Sequence, residues 1–289
     1  MGFWEQISLM LVSPLMQRSL LVALIMGACA PVMGTYLVHR KLAMLGDGIG
    51  HIALTGVALG WFAGSWANLR PRDALALPFA IVVSLVGAVL IEFIRSRGRT
   101  SGDVALAMLF YGGIAGGVLL ISMAGGTSAQ LNSYLFGSIA TVTWGDLTIA
   151  AVMSALIIAF GIGLRPALFS ACNDEEFAVA SGLSVTKLTI AIAAASALTV
   201  SVAMRVVGAL LVSALMIVPV AIAQLYVSSF RATMRLAMLI GAGVSVLGLT
   251  ITYFYNLSPG ATIVVLAIAI YGMSAIGVEL RRKLTDRHH

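Results

Sequence analysis

Charge is what this sequence has least of. Only 10% of its 289 residues are Asp, Glu, Lys or Arg, against roughly 25% in an ordinary soluble domain. Seventeen basic and eleven acidic side chains cannot cover a 30.1 kDa globule in water, which excludes an arrangement of one or two soluble domains. Cysteine is scarce too. Cys29 lies in an apolar run and Cys172 in a polar stretch, without metal-ligand spacing, so a disulfide framework is not expected. The chain has no GxxxxGK[ST] and no HExxH, so it offers neither a P-loop nor a zinc-protease signature, and any ATP must be handled elsewhere. Residues 1–18 carry Glu5 and Gln6 and show no small-residue cleavage site, so they do not read as a cleaved signal peptide.

What is present is apolar: 60% of the residues are hydrophobic and the mean hydropathy is +1.05. Runs with little or no interior charge cover residues 19–38, 42–63 (with Asp47 inside), 74–91, 104–124, 147–164, 188–204, 206–226, 236–255 and 261–278. Each has about the 20 residues that cross a bilayer, giving nine candidate spans. Residues 188–226 are interrupted only by Arg205, so that stretch reads either as two short crossings or as one crossing with a re-entrant piece, and eight spans also fit. The expected fold class is all-α: a polytopic transmembrane helix bundle of eight or nine spans, with residues 1–289 as a single transmembrane domain in a lipid bilayer.

The net charge of +6 and pI of 9.7 arise from small clusters between apolar runs, which indicates topology and not nucleic-acid binding. With nine spans, thirteen basic residues share one side: Arg40, Lys41, Arg95, Arg97, Arg99, Arg165, Lys187, Arg231, Arg235, Arg281, Arg282, Lys283 and Arg287. The other side holds Arg18, Arg70, Arg72 and Arg205. The positive-inside rule makes the first side cytoplasmic and puts the C-terminus inside. Terminal His288 and His289 are either a native tail or a purification-tag remnant and carry no weight.

Residues 165–187, RPALFSACNDEEFAVASGLSVTK, are the longest polar stretch on that side. Pro166 can open a turn, Asn173 or Asp174 can cap a helix with an acidic first turn (Asp174, Glu175, Glu176), and Gly182 can end it. A short helix outside the bilayer follows, to be read either as something a partner grips or as a solvated connection. On the opposite side, residues 124–146 hold Gly137 and Trp144 near an interface, which fits a partly folded outer loop. The cluster Gly112, Gly113, Gly116 and Gly117 reads as helix packing through small residues.

Asp47 and His51 are the ionisable residues that fall well inside an apolar run. Burying such groups costs several kcal/mol unless they face a polar cavity or a partner, so by default they mark an ion path. His51 lies roughly 15 Å beyond Lys41, near the midplane of a 30 Å core. The i, i+4 spacing sets carboxylate and imidazole on one helix face, about 6 Å apart along the axis. One oxygen and one nitrogen make half a tetrahedral site for zinc, and iron(II) or manganese(II) accept the same mixture. A second copy across a two-fold axis supplies the other half. The competing reading is a buried ion pair in which His51 donates to a backbone carbonyl. Gly46, Gly48 and Gly50 flank the pair and let a helix or an ion come close. Met204, Met216 and Met273 lie on separate segments away from Cys or His, so they read as packing and not as copper(I) ligands. Arg205 reads as snorkelling to headgroups.

Residues 34–60, GTYLVHRKLAMLGDGIGHIALTGVALG, resemble the signature of the metal-ion permeases of bacterial ABC importers, which take up zinc, manganese or iron(II). Further matches follow in order: Asp103 opening a helix, YLFGS at 134–138, DEEFAVASGLSV at 174–185, VVGALLVSALMIVPVAIAQ at 206–224 and SPGATIVVL at 258–266. The resemblance covers nearly the whole chain. It implies a type II ABC importer permease-like bundle in the bacterial inner membrane, paired with a second permease copy. It also implies two cytoplasmic P-loop ATPase subunits and an extracytoplasmic metal-binding protein. The chain would then be a transport subunit without a permanent cofactor, its substrate a divalent metal ion. Asp47 and His51 fall on the family's metal-coordinating gate. Glu176, Ala178 and Gly182 fit its E-x-A-x-x-x-G coupling helix, in which Asp174 and Glu175 also lie. Gly50 stands where relatives often carry Ser, and Ala107 where Gly is frequent. A rival reading is a stand-alone secondary transporter or channel using Asp47 or His51 as a proton or ion carrier, since histidine titrates near neutral pH. A non-transporting scaffold would need neither residue.

Overall fold

The computed structural model describes residues 3–68, 74–96, 102–125, 134–137, 142–255 and 257–286. Arg70, Arg72, Arg97, Arg99, Arg287, His288 and His289 lie outside them, as do the side chains of Asp103 and Arg205. Among the described residues there are twelve helices and no strand: α1 (Phe3–Val12), α2 (Pro14–His39), α3 (Ala43–Trp66), α4 (Ala76–Ser96), α5 (Gly102–Met123), α6 (Trp144–Gly163), α7 (Arg165–Asn173), α8 (Glu175–Ala180), α9 (Val185–Val207), α10 (Ala209–Tyr226), α11 (Phe230–Tyr255) and α12 (Pro259–Asp286). A single helical turn, residues 134–136, lies between α5 and α6.

Nine of these helices, α2 to α6 and α9 to α12, are long and apolar enough to cross a membrane. The stretch around Arg205 is therefore two helices. Their break falls at Gly208, not at the arginine. Gly208 has φ +91° and ψ 147°, a left-handed backbone that suits glycine and ends α9. A Cβ there would lie 2.5 Å from the Phe136 carbonyl carbon, and one on Gly260 would lie 2.6 Å from the Phe136 oxygen. Segments remote in sequence thus meet backbone to backbone at the entry to α10.

The spans α2, α3 and α9 are buried over most of their length, whereas α5, α6 and α12 bury only a narrow stripe. The outward faces of those three carry Met108, Leu119, Val152, Leu156, Val265 and Ile276, and apolar helices with apolar outer faces need lipid as solvent. Close crossings hold the centre together. A Cβ on Gly27 of α2 would lie 2.6 Å from the Gly241 oxygen of α11, so any larger residue would force the two helices apart. Tyr36 on α2 donates its hydroxyl to the Gly161 carbonyl of α6.

At the end of the bundle where α2 turns into α3, Lys41 adopts φ +58° and the Leu42 amide donates to the Leu37 carbonyl at 2.8 Å. Arg40 pairs there with Glu92 of α4 at 3.7 Å, both side chains more than nine-tenths buried. The polar stretch 165–187 forms two helices where the sequence suggests one. Asp174 takes an extended backbone (φ −148°, ψ 99°) and its carboxylate accepts the Phe177 amide, so capping α8 requires a break after α7. Pro166 in the first turn of α7 and Gly182 with φ +80° beyond α8 mark the two outer ends as expected.

Candidate functional site

α3 places Asp47 and His51 on one face, with Asp47 Oδ1 3.8 Å from His51 Nε2. That is too long for a hydrogen bond. It is close to the ~3.3 Å that separates two ligands on a tetrahedral ion with bonds of about 2.0 Å. The His51 side chain is 7% exposed and that of Asp47 23%, so the carboxylate opens to the surface of the single chain with the imidazole behind it. The ring of His51 meets Phe110 of α5 edge-on, centroids 4.4 Å apart. Its buried Nδ1 has no hydrogen-bond partner, so the arrangement in which His51 donates to a backbone carbonyl is not the one adopted. Among the described residues, no third His, Cys, Asp or Glu joins the pair to complete a metal site.

The flanking glycines are in ordinary contact and not in tight crossings. A Cβ on Gly46 would sit 3.6 Å from Met216 Sδ, on Gly48 3.7 Å from Leu109, and on Gly50 3.6 Å from Ser213 Oγ. The close approach comes from the facing helix. A Cβ on Gly113 of α5 would lie 2.6 Å from the His51 carbonyl carbon, and Thr55 donates its hydroxyl to the Gly113 carbonyl at 2.7 Å. Phe110 and Gly113 thus pack against His51, while Ser213 faces Gly50 one residue before it. Sequence reading missed Phe110 and Ser213 because each lies in an unbroken apolar run with no polar neighbour to flag it.

The second group of residues sits apart from this pair, around α8. Glu175 and Glu176 are exposed in its first turn, and Ala178 is fully buried against Ala171 and Val185. Phe177 and Val179 are each 61% exposed, two apolar side chains on a six-residue helix whose other face is already packed. A polar cavity of about 630 Å³ runs from Arg40 and Glu92 past Cys172 to Glu175 and Thr189. It connects the end of α2 with the start of α8. Burial pushes the Cys172 thiol up to about 11, with the Arg40 cation pulling the other way.

Residues 12–277 match the ABC 3 transport family. The chain belongs to that family. The manganese import system permease protein ScaB of Streptococcus gordonii is 30% identical over 90% of this chain and 90% of its own length. The high-affinity zinc uptake system membrane protein ZnuB of Haemophilus influenzae is 25% identical over 89% of this chain and 95% of its own. The solved structure of PsaBC from Streptococcus pneumoniae in complex with Fab superposes with a TM-score of 0.83 at 30% identity, covering 94% of this chain and 95% of that one. As an ABC 3 transport family member the chain is a membrane permease, and its many apolar spans put it in a cell membrane.

Proposed function

We propose that this permease carries divalent metal ions (zinc, manganese or iron(II)) inward across a bacterial inner membrane as the spanning subunit of an ATP-driven importer. The observation that carries the reading is the Asp47–His51 pair on α3, one oxygen and one nitrogen 3.8 Å apart with the carboxylate open to the chain's surface. Two such pairs, one from each of two permease copies, make a four-ligand set that suits these ions. Full-length similarity to permeases named for manganese and zinc uptake supports the same substrate class.

In this reading residues 1–289 form one transmembrane permease domain with the C-terminus in the cytoplasm, and residues 165–187 form the cytoplasmic coupling segment. Glu175, Glu176 and Ala178 on α8, with Asp174 capping it and Gly182 just beyond its end, form the element that the P-loop ATPase subunits grip. The exposed Phe177 and Val179 give those subunits an apolar purchase. An extracytoplasmic binding protein releases its ion above the Asp47–His51 gate, flanked by Gly46, Gly48 and Gly50. ATP-driven closure of the ATPases then switches the bundle between outward and inward states. Two ligands per copy hold the ion strongly enough to select it and weakly enough to release it. Co-reconstitution with the partner ATPase tests this: metal accumulation should require both ATP and the ATPase. Equal accumulation by the chain alone in a proton gradient would establish the stand-alone carrier instead.

A further inference from the structure

We propose that the cavity at the junctions of α6 with α7 and of α10 with α11 binds the phosphate of an anionic phospholipid headgroup. The cavity measures about 430 Å³ and takes Arg165 and Ser170 from one junction and Ser229 and Arg231 from the other. No acidic side chain lines it, and neither guanidinium has an ion-pair partner among the described residues. Two arginines without an acidic neighbour lining one concavity make it electropositive, and an anion is the ligand such a concavity suits. Their forked donors suit the oxygens of a phosphate better than a diffuse counter-ion.

The hydroxyls complete the donor set. Ser229 Oγ accepts the Ala232 amide at 3.3 Å, which leaves its own proton free to donate outward. Ser229 also stands at the start of α11, whose first-turn amides and dipole favour negative charge. The floor is aromatic: Phe169 and Phe230 pack at 4.9 Å between centroids, with Tyr36 behind Phe230 at 5.1 Å. Arginines above an apolar floor match a phosphodiester joined to a glycerol and acyl chains.

Depth selects the source of the phosphate. α6 ends at Gly163, α10 ends at Tyr226 and α11 begins at Phe230, so Arg165, Ser229, Phe230 and Arg231 lie within three residues of a span end, where a bilayer presents its headgroups, while Phe169 and Ser170 come from the short helix α7. Tyr226, exposed at the end of α10, is a side chain enriched at that interface. Basic pockets between spans on the cytoplasmic side are where anionic headgroups bind.

The test uses the full chain in neutral detergent, following its melting temperature while phosphatidylglycerol, phosphatidylcholine or inorganic phosphate is titrated in. Phosphatidylglycerol should raise the midpoint, phosphatidylcholine should not, and inorganic phosphate should act only at far higher concentration. The Arg165→Gln/Arg231→Gln variant should shift the half-maximal phosphatidylglycerol concentration at least tenfold, and Arg165→Lys/Arg231→Lys by less. Arg281→Gln/Arg282→Gln, the same loss of charge near the end of α12, away from the cavity lining, should leave it in place. If the double glutamine variant does not fold, exposed Arg231→Gln alone should still show a several-fold shift. Equal effects of the two lipids, or equal loss in both charge-removal variants, would overturn the proposal. Inorganic phosphate acting at the same concentration as the lipid would make this a free-anion site and overturn the lipid assignment. Loss of ATPase binding with unchanged lipid response in the Arg165/Arg231 variant would assign the cavity to an acidic partner segment.

Discussion

Replacing Gly113 with alanine should damage the Asp47–His51 site without touching either residue. The new Cβ would lie 2.6 Å from the His51 carbonyl carbon and 2.8 Å from its oxygen. Carbon contacts need about 3.5–4.0 Å, so α5 must withdraw from α3 by roughly 1 Å, because backbone atoms cannot swing aside as a flexible side chain does. That movement stretches the 2.7 Å Thr55 bond to Gly113 and lifts Phe110 off the imidazole. Overpacking costs ~1–3 kcal/mol and the strained hydrogen bond up to ~1 kcal/mol. The better helix propensity of alanine offsets about 1 kcal/mol. The net is about 2 kcal/mol, or a fall of roughly 5 °C in the melting temperature at this chain length. Tryptophan fluorescence melts in detergent give the stability, and metal uptake by the assembled importer gives the function, which should fall at least tenfold. Gly272→Ala, where a Cβ meets nothing within 4 Å, is the matched control and should be neutral or slightly stabilising. A Gly113→Ala protein with wild-type melting temperature and uptake would refute the claim that α5 holds His51 in place.

Glu92→Gln should destabilise by about 3 kcal/mol, since it leaves the buried Arg40 guanidinium with a neutral partner; a melting temperature within 2 °C of wild type would contradict the pairing. Glu176→Ala with Gly182→Val should uncouple the machine, so that ATP hydrolysis by the assembled importer persists while uptake falls more than tenfold; unchanged uptake per ATP would dismiss α8 as the transmission element. In a Cys29→Ala background, Cys172 should react slowly with iodoacetamide at neutral pH. A thiol titrating at about 11 is mostly protonated below that value, so the rate should climb about tenfold per pH unit up to that point. A plateau near pH 8.5 would show an unburied thiol.

Nine apolar runs are legible in the sequence because lipid leaves little freedom: a span needs about 20 residues without charge, and the charges between runs mark the turns. Their ends are less legible. The first run reads as 19–38, yet α2 begins at Pro14, because Arg18 can lay its stem along the helix and set its guanidinium over the Trp144 ring, 4.7 Å from the centroid. The break in residues 185–226 falls at Gly208 and not at Arg205, since backbone conformation rather than charge ends α9. Asp47 and His51 stand out as lone ionisable residues in an oily run, and their i, i+4 spacing fixes their shared face. Glu92 does not stand out, because it sits at the edge of its run and its partner Arg40 is 52 positions away in the sequence. The convergence of the segments holding Phe136, Gly208 and Gly260, and the gathering of Arg165 with Arg231 around one cavity, are properties of tertiary packing that no local pattern carries.

Uptake of radioactive manganese or zinc by Asp47→Asn and His51→Ala, each assembled with its ATPase and binding protein, tests the account most directly. Loss of transport of at least a hundredfold in both, with assembly and basal ATP hydrolysis intact, is the predicted result. Wild-type uptake in either variant would mean that the ion crosses without meeting this pair.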